Sequence, residues 1–123
     1  MEKKYMDFIC SLHGYCIRTK EIHWNTDNNA EHLLCDEIED EISSLEDRFA
    51  ECAMGATDKK IKIGQLKPML PRAKKLKEML QELSNETMDM KDGLNGYHLS
   101  GLENICDDII EMCCKYMYRC TQK

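Results

Sequence analysis

Proline, glycine and aromatic residues are scarce in this sequence. Its 123 residues include two prolines, six glycines and one tryptophan, and aromatic residues make up 7% of the chain. A fold with many β-strands needs more turn residues than this, so the composition argues against one. With 42% hydrophobic and 33% charged residues, the chain is also too apolar for a disordered protein. The length predicts a single domain that covers residues 1–123.

The sequence also lacks a long apolar run and an excess of basic residues. No stretch of about 18 apolar residues occurs, so we expect no membrane span and no membrane partner. Asp7, His13 and Arg18 interrupt the N-terminal apolar stretch, and no small-residue cleavage site follows, so we predict no signal peptide and a cytoplasmic location. The net charge of −6 is opposite to that of a nucleic-acid-binding surface. We therefore expect cations, and not DNA, to bind.

The eight cysteines include no C-x-x-C pair. Cys106, Cys113 and Cys120 repeat at seven-residue steps, which places them on one face of a helix. In a reducing compartment such residues act as small buried hydrophobic side chains, and this is our prediction. A redox or soft-metal role is the alternative.

Helical spacing of the apolar residues continues through most of the chain. We predict helices over residues 3–23 and 29–54, from near Pro71 to about residue 90, and from Leu99 to near the end. Gly55 is the expected stop of the second helix, and residues 56–67 form a lysine-rich connector. The predicted fold is an all-α antiparallel four-helix bundle, with a short irregular or helical connector between helices 2 and 3.

The second predicted helix separates apolar from polar residues. One side carries an apolar stripe of Leu34, Ile38, Ile42, Leu45, Phe49 and Cys52. At about 100° per residue, the opposite side carries His32, Asp36, Asp40, Ser43, Asp47 and Glu51. We therefore expect these polar side chains to point away from the bundle core.

This outward face argues against a metal site inside the bundle. Di-iron sites in the core of a helical bundle use a Glu-x-x-His pair, and no such pair occurs in this sequence. His32 and Asp36 lie one turn apart, as do Asp47 and Glu51, but the two pairs are about 22 Å apart along the helix. If helix 2 packs antiparallel against its own copy, each pair meets the other pair of the partner, and two-fold symmetry produces the site twice.

One run of residues forms a distinctive pattern: His23-Trp24, then His32-x-x-x-Asp36, then Asp47-x-x-Ala50-Glu51. This pattern resembles the signature of Dps-type miniferritins. The resemblance implies a ferritin-like four-helix fold, assembly into a hollow shell that is usually dodecameric, and an iron-oxidising centre at a two-fold interface of helix 2. It also implies iron storage that protects the cell against oxidative stress.

The resemblance assigns roles to individual residues. His23, His32 and Asp36 would bind metal from one subunit, and Asp47 and Glu51 from its partner. Glu51 would bridge two iron ions, Trp24 would lie beside the site, and zinc or another divalent metal could substitute. Two features depart from the family: the turn between His23 and His32 is shorter, and Cys52 stands where an arginine usually follows the glutamate.

Two other functions are compatible with the sequence. One is a non-catalytic ferritin-like oligomer with a structural or adaptor role. The other is an all-α, magnesium-dependent nucleotide pyrophosphohydrolase, in which acids of helices 2 and 4 hold the metal. Those acids would be Glu37, Asp40, Glu41, Asp107, Asp108 and Glu111.

Some polar residues have no partner at metal-binding spacing in the sequence. We interpret His13 and His98 as structural or surface residues, and the cluster of Lys74, Lys75 and Lys77 as a solvated helix face.

Overall fold

Four helices make up the ordered framework of the protein. The computed structural model describes residues 1–94 and 99–122, and no strand occurs in these two ranges. The helices are α1 (Lys3–Asn25), α2 (Asn29–Thr57), α3 (Leu76–Asp92) and α4 (Ser100–Arg119). Because they pack against one another around a common core, the predicted all-α four-helix bundle is confirmed.

The ends of α2 are set by local backbone chemistry. Asn28 caps its start, because the Asn28 side chain accepts a hydrogen bond of 3.0 Å from the N–H of Glu31. The helix ends when Asp58 adopts the left-handed conformation, with φ of 53°. Gly55, the predicted stop, instead lies inside the helix, so the predicted end at residue 54 was wrong by three residues.

The connection between α2 and α3 is longer than predicted. It comprises residues 58–75, is irregular throughout, and runs alongside α1. The N–H of Met69 donates to the carbonyl of Cys10 at 3.0 Å, and Arg18 Nη1 donates to the carbonyl of Ala73 at 2.6 Å. The connector therefore passes the N-terminal half of α1 first and its C-terminal half afterwards.

Helix α3 begins at Leu76 and not near Pro71. The N–H groups of Arg72 and Ala73 donate to the two carboxylate oxygens of Glu82, at 2.9 and 2.8 Å. The side chain that accepts these two hydrogen bonds lies ten residues after Arg72 and nine residues after Ala73. Residues 71–75 form no helix, and α3 starts at Leu76.

The connector determines how the helices are oriented. A turn of three residues joins α1 to α2, so these two helices are antiparallel. The connector returns the chain to the end of α1 before α3 begins, and Lys4 Nζ near the start of α1 donates to the carbonyl of Gly93 just after α3. Helix α3 thus runs antiparallel to α1 and parallel to α2. The bundle consists of two helical hairpins joined by one long crossover.

The core is aliphatic, with a few aromatic and polar members. The rings of Phe8 and Phe49 meet edge to face, with centroids 4.9 Å apart. Buried Tyr15 donates from its hydroxyl to Glu86 at 2.9 Å, so α1 and α3 are also joined by a hydrogen bond. The largest fully buried side chains include Leu12, Ile38, Ile42, Met79, Leu80, Leu83, Leu102 and Ile109.

The cysteines are free thiols, and most of them contribute to packing. Cys35, Cys106 and Cys113 are buried, and burial raises the pKa of each thiol to about 12. Cys114 is exposed on the other side of α4. The structure thus places the buried thiols as small hydrophobic side chains, as the sequence predicted.

No helix in the described residues is long and apolar enough to cross a membrane.

Candidate metal centre

The polar face predicted for α2 lies on the surface of the bundle. The apolar stripe from Leu34 to Phe49 is buried, whereas every residue of the opposite set is exposed. The exposed set is His32, Asp36, Asp40, Ser43, Asp47 and Glu51. Helical periodicity therefore predicted the direction of these side chains correctly.

His23, His32 and Asp36 come together at the junction of α1 and α2. The imidazole rings of His23 and His32 lie with their centroids 3.9 Å apart and their planes at 54°. Asp36 Oδ1 lies 3.2 Å from His23 Nδ1. The short turn thus brings the last turn of α1 and the first turns of α2 close enough for His23 to contact both His32 and Asp36.

A main-chain contact sets the orientation of the His32 ring. Its Nδ1 lies 3.3 Å from the carbonyl oxygen of His23, which can only accept a hydrogen bond. In the neutral ring Nδ1 therefore carries the proton, and Nε2 keeps a lone pair that can bind a metal ion. The carboxylate of Asp36 can hold the His23 ring in the same way through its Nδ1. In both rings a proton on Nδ1 leaves Nε2 as the nitrogen with a free lone pair.

Asp47 and Glu51 do not reach this group within one chain. Asp47 follows Asp36 by 11 residues on the same helix, which corresponds to about 16 Å. Both acids are exposed and point away from the core. In residues 1–94 and 99–122 of the single chain, no three or more His, Cys, Asp or Glu side chains are arranged to hold a metal ion. A single chain therefore brings together three of the five predicted ligands, His23, His32 and Asp36.

Trp24 is exposed over 74% of its surface, although it follows the half-buried His23. Its indole lines an open groove between the ends of α1 and α4 and the start of α3. The neighbouring histidine instead contacts His32 and Asp36 at the α1–α2 edge. Trp24 is thus adjacent to the candidate metal residues in sequence but faces a different cavity.

Sequence reasoning missed a pair formed by half-buried His13 and buried Glu46. His13 Nδ1 lies 3.0 and 3.2 Å from the two carboxylate oxygens of Glu46, which is only 8% exposed. Burial raises the pKa of Glu46, and the hydrogen bond from His13 opposes that shift. A signal was present, because Glu46 lies four residues after Ile42 and three before Phe49, on the apolar side of α2. His98 lies outside the described residues.

Ion pairs occupy four of the six acids that the magnesium alternative requires. On the α2–α4 side, Glu37 pairs with Arg119 at 2.7 Å, and Glu41 with Lys115 at 3.0 Å. The acids of α4 are also paired, as shown by the bonds Arg48–Asp108 of 2.8 Å and Lys91–Asp107 of 2.7 Å. These acids are thus spread among basic partners, whereas a magnesium site needs several carboxylates around one point.

Comparison with known proteins gives one match. Residues 23–120 match a family described as "Family of unknown function (DUF5856)". The chain belongs to this family. The matched range begins at His23 and includes all five predicted metal ligands, the connector, α3 and α4. No curated protein sequence and no solved structure matches the chain.

Proposed function

We propose that the protein is a Dps-like iron-binding and storage protein. In this proposal it oxidises Fe(II) with peroxide or dioxygen at a di-iron site shared between two copies of α2. The observation that carries the proposal is the close packing of His23 and His32, with Asp36 beside them, at the surface. Two imidazoles and a carboxylate suit ferrous iron and leave further coordination positions for a second chain and an oxidant.

The remaining ligands come from the second chain in this proposal. Asp47 and Glu51 are exposed on the same side of α2 as His32 and Asp36. Antiparallel pairing of two α2 helices brings the two acids of one copy to the two histidines of the other. Ser43 and Ser44 are exposed near the middle of this face, and their small side chains allow the two helices to approach closely.

Shell assembly needs contacts beyond the two-fold pair. The connector carries four exposed apolar side chains, Ile63, Leu66, Met69 and Leu70, and exposed apolar clusters mark interaction sites. The bundle also has one long crossover, which is the connectivity of ferritin-like folds among four-helix bundles. Both features support a homo-oligomer of ferritin-like subunits, with a dodecameric shell as the proposed form.

The chemistry follows from the ligand types. Two Fe(II) ions supply the two electrons that reduce one peroxide molecule, with two protons, to two water molecules. Carboxylate oxygens bind Fe(III) more strongly than Fe(II), so the site favours oxidation. The reaction removes peroxide and Fe(II) together, which limits oxidative damage, and the ferric product would be stored as mineral inside the shell. Zn(II) would bind the same ligands and block oxidation, because it has no redox chemistry.

The decisive experiment adds Fe(II) anaerobically to metal-free protein, introduces peroxide and follows the ferric absorbance. Size-exclusion chromatography with light scattering measures the mass of the assembly in the same samples. We expect fast oxidation by the wild type and loss of the fast phase in the double variant Asp36→Asn/Glu51→Gln. Asp40→Asn is the matched control, since Asp40 is exposed on the same face but is not a predicted ligand.

Each outcome has a defined meaning. Equal oxidation rates for the wild type and the double variant would overturn the assigned site. A stable large oligomer that neither retains nor oxidises iron would instead favour the structural or adaptor role.

A further inference from the structure

An open groove of about 850 Å³ lies at one end of the bundle, where α1 and α4 end and α3 begins. This volume is within the range of about 300–1,000 Å³ that is typical of small-molecule sites. Its floor includes the buried side chains of Ile22 and Leu76. The groove therefore has the size and the apolar base of a ligand site, at a place that the proposed iron chemistry does not use.

Basic side chains dominate the rim of this groove. Four bases line it, Arg18, Lys74, Lys75 and Lys77, against two acids, Glu21 and Glu31. Glu21 is already bound to Arg18 Nε at 2.9 Å. Lys74, Lys75 and Lys77 are exposed, so their ammonium groups are accessible to a ligand. The groove is thus a basic region in a chain whose net charge is −6, and it is suited to an anion.

Trp24 adds an aromatic surface to the same groove. Its side chain is 74% exposed, although a large aromatic ring gains most from burial. A planar ring stacked on the indole would cover this apolar surface. The combination of an aromatic face with several cations is the arrangement that recognises a base and its phosphates.

We propose that the groove binds a nucleotide, with its base against Trp24 and its phosphates among Lys74, Lys75 and Lys77. The site is separate from the iron ligands, because His23 faces His32 and Asp36 while Trp24 faces the groove. This proposal assigns a ligand to the lysine cluster, which the sequence alone indicated as a solvated helix face. Adenosine triphosphate serves as the probe for this class.

Trp24 is the single tryptophan of the chain, so its fluorescence reports directly on the groove. Adenosine triphosphate is titrated into metal-free protein in the presence of a chelator, and calorimetry measures the same binding without optical interference. We expect a saturable fluorescence change. Adenosine and inorganic triphosphate should each bind at least about tenfold more weakly, since each lacks one half of the recognised structure.

The variant Lys74→Gln/Lys77→Gln should weaken binding of the nucleotide by about tenfold or more, because charge-assisted hydrogen bonds are lost. Lys59→Gln/Lys60→Gln is the matched control, since these exposed lysines lie on the connector outside the groove. It should bind as the wild type does. No saturable binding, equal affinity for inorganic triphosphate, or equal loss in both variants would each overturn the proposal.

The same titration with the iron-site variant Asp36→Asn/Glu51→Gln tests whether nucleotide binding is independent of the proposed iron site. Nucleotide binding should be unchanged in that variant, even if the wild type proves unable to oxidise iron. Loss of nucleotide binding there would contradict the separation of the two sites.

Discussion

The main chain at Met69 lies directly against Gly14. A Cβ atom placed on Gly14 would overlap the carbonyl oxygen of Met69, at a separation that non-bonded Cβ atoms do not adopt. In the same region, the N–H of Met69 donates to the carbonyl of Cys10. The crossover therefore docks onto α1 at a position where only glycine leaves enough space, and the course of the connector depends on this contact.

Gly14→Ala should destabilise the fold by about 1–3 kcal/mol, because the connector must move away from α1. Gly55→Ala is the matched control, since Gly55 also lies in a helix but has no atom within 4 Å of an added Cβ. That variant should gain up to about 1 kcal/mol from the higher helix propensity of alanine. Urea denaturation followed by circular dichroism measures both. Equal effects in the two variants would contradict the close approach.

Subunit complementation tests whether two chains share the iron site. One variant, His32→Ala/Asp36→Ala, keeps the acids, and the other, Asp47→Ala/Glu51→Ala, keeps the histidines. Each should be inactive alone. After unfolding and refolding as an equal mixture, about a quarter of the wild-type sites should be complete, because half of the dimers are mixed and each has one intact site. Stopped-flow iron oxidation measures the recovery. Continued inactivity of refolded, assembled mixtures would contradict a shared site.

The pH dependence of stability should reflect buried Glu46. Burial raises its pKa in the folded state above the ordinary value of 4.5, so the folded state holds this proton more tightly than the unfolded state. The stability that this group contributes is therefore present below pH 4.5 and is lost as the pH rises through its folded pKa. Glu46→Gln cannot ionise. Its stability relative to the wild type should rise between about pH 4 and 7 in denaturation experiments; a constant difference would contradict this linkage.

Thiol reactivity should separate Cys114 from the buried cysteines. Cys16, Cys35, Cys106 and Cys113 each have a pKa raised to about 12, mainly by burial, so very little thiolate forms near pH 8. A thiol reagent should modify native Cys114 much faster than these four, because Cys114 is exposed and the other four form little thiolate. Cys114→Ser should remove that fast phase, and Cys113→Ser should leave it. A fast phase that persists in Cys114→Ser would contradict the assignment.

Local periodicity was sufficient to predict the helices and the two faces of α2. Leu34, Ile38 and Phe49 are buried, and Asp36, Asp47 and Glu51 are exposed, as their spacing indicated. This succeeded because the direction of a helical side chain depends on position within the same helix. The capped turn before α2 was predictable for the same reason, since Asn28 acts on the amide of Glu31 three residues later.

Relationships between distant residues were not predictable in this way. The start of α3 depends on Glu82, whose carboxylate binds the amides of Arg72 and Ala73. The contact between His13 and Glu46 requires α1 and α2 to pack in one particular register. The sequence gives the residue types that form such contacts. The contacts themselves form only when separate elements pack against each other.

The sequence by itself thus determined the all-α class, the approximate helix positions and the acidic outward face of α2, because these properties depend on residues a few positions apart. Only the tertiary structure decided three other features: the crossover along Gly14, the approach of His23 to His32, and the basic groove beside Trp24. Each of these depends on how helices and connector pack together. Packing is a property of the whole chain, since a contact forms only where two distant surfaces fit in shape and charge.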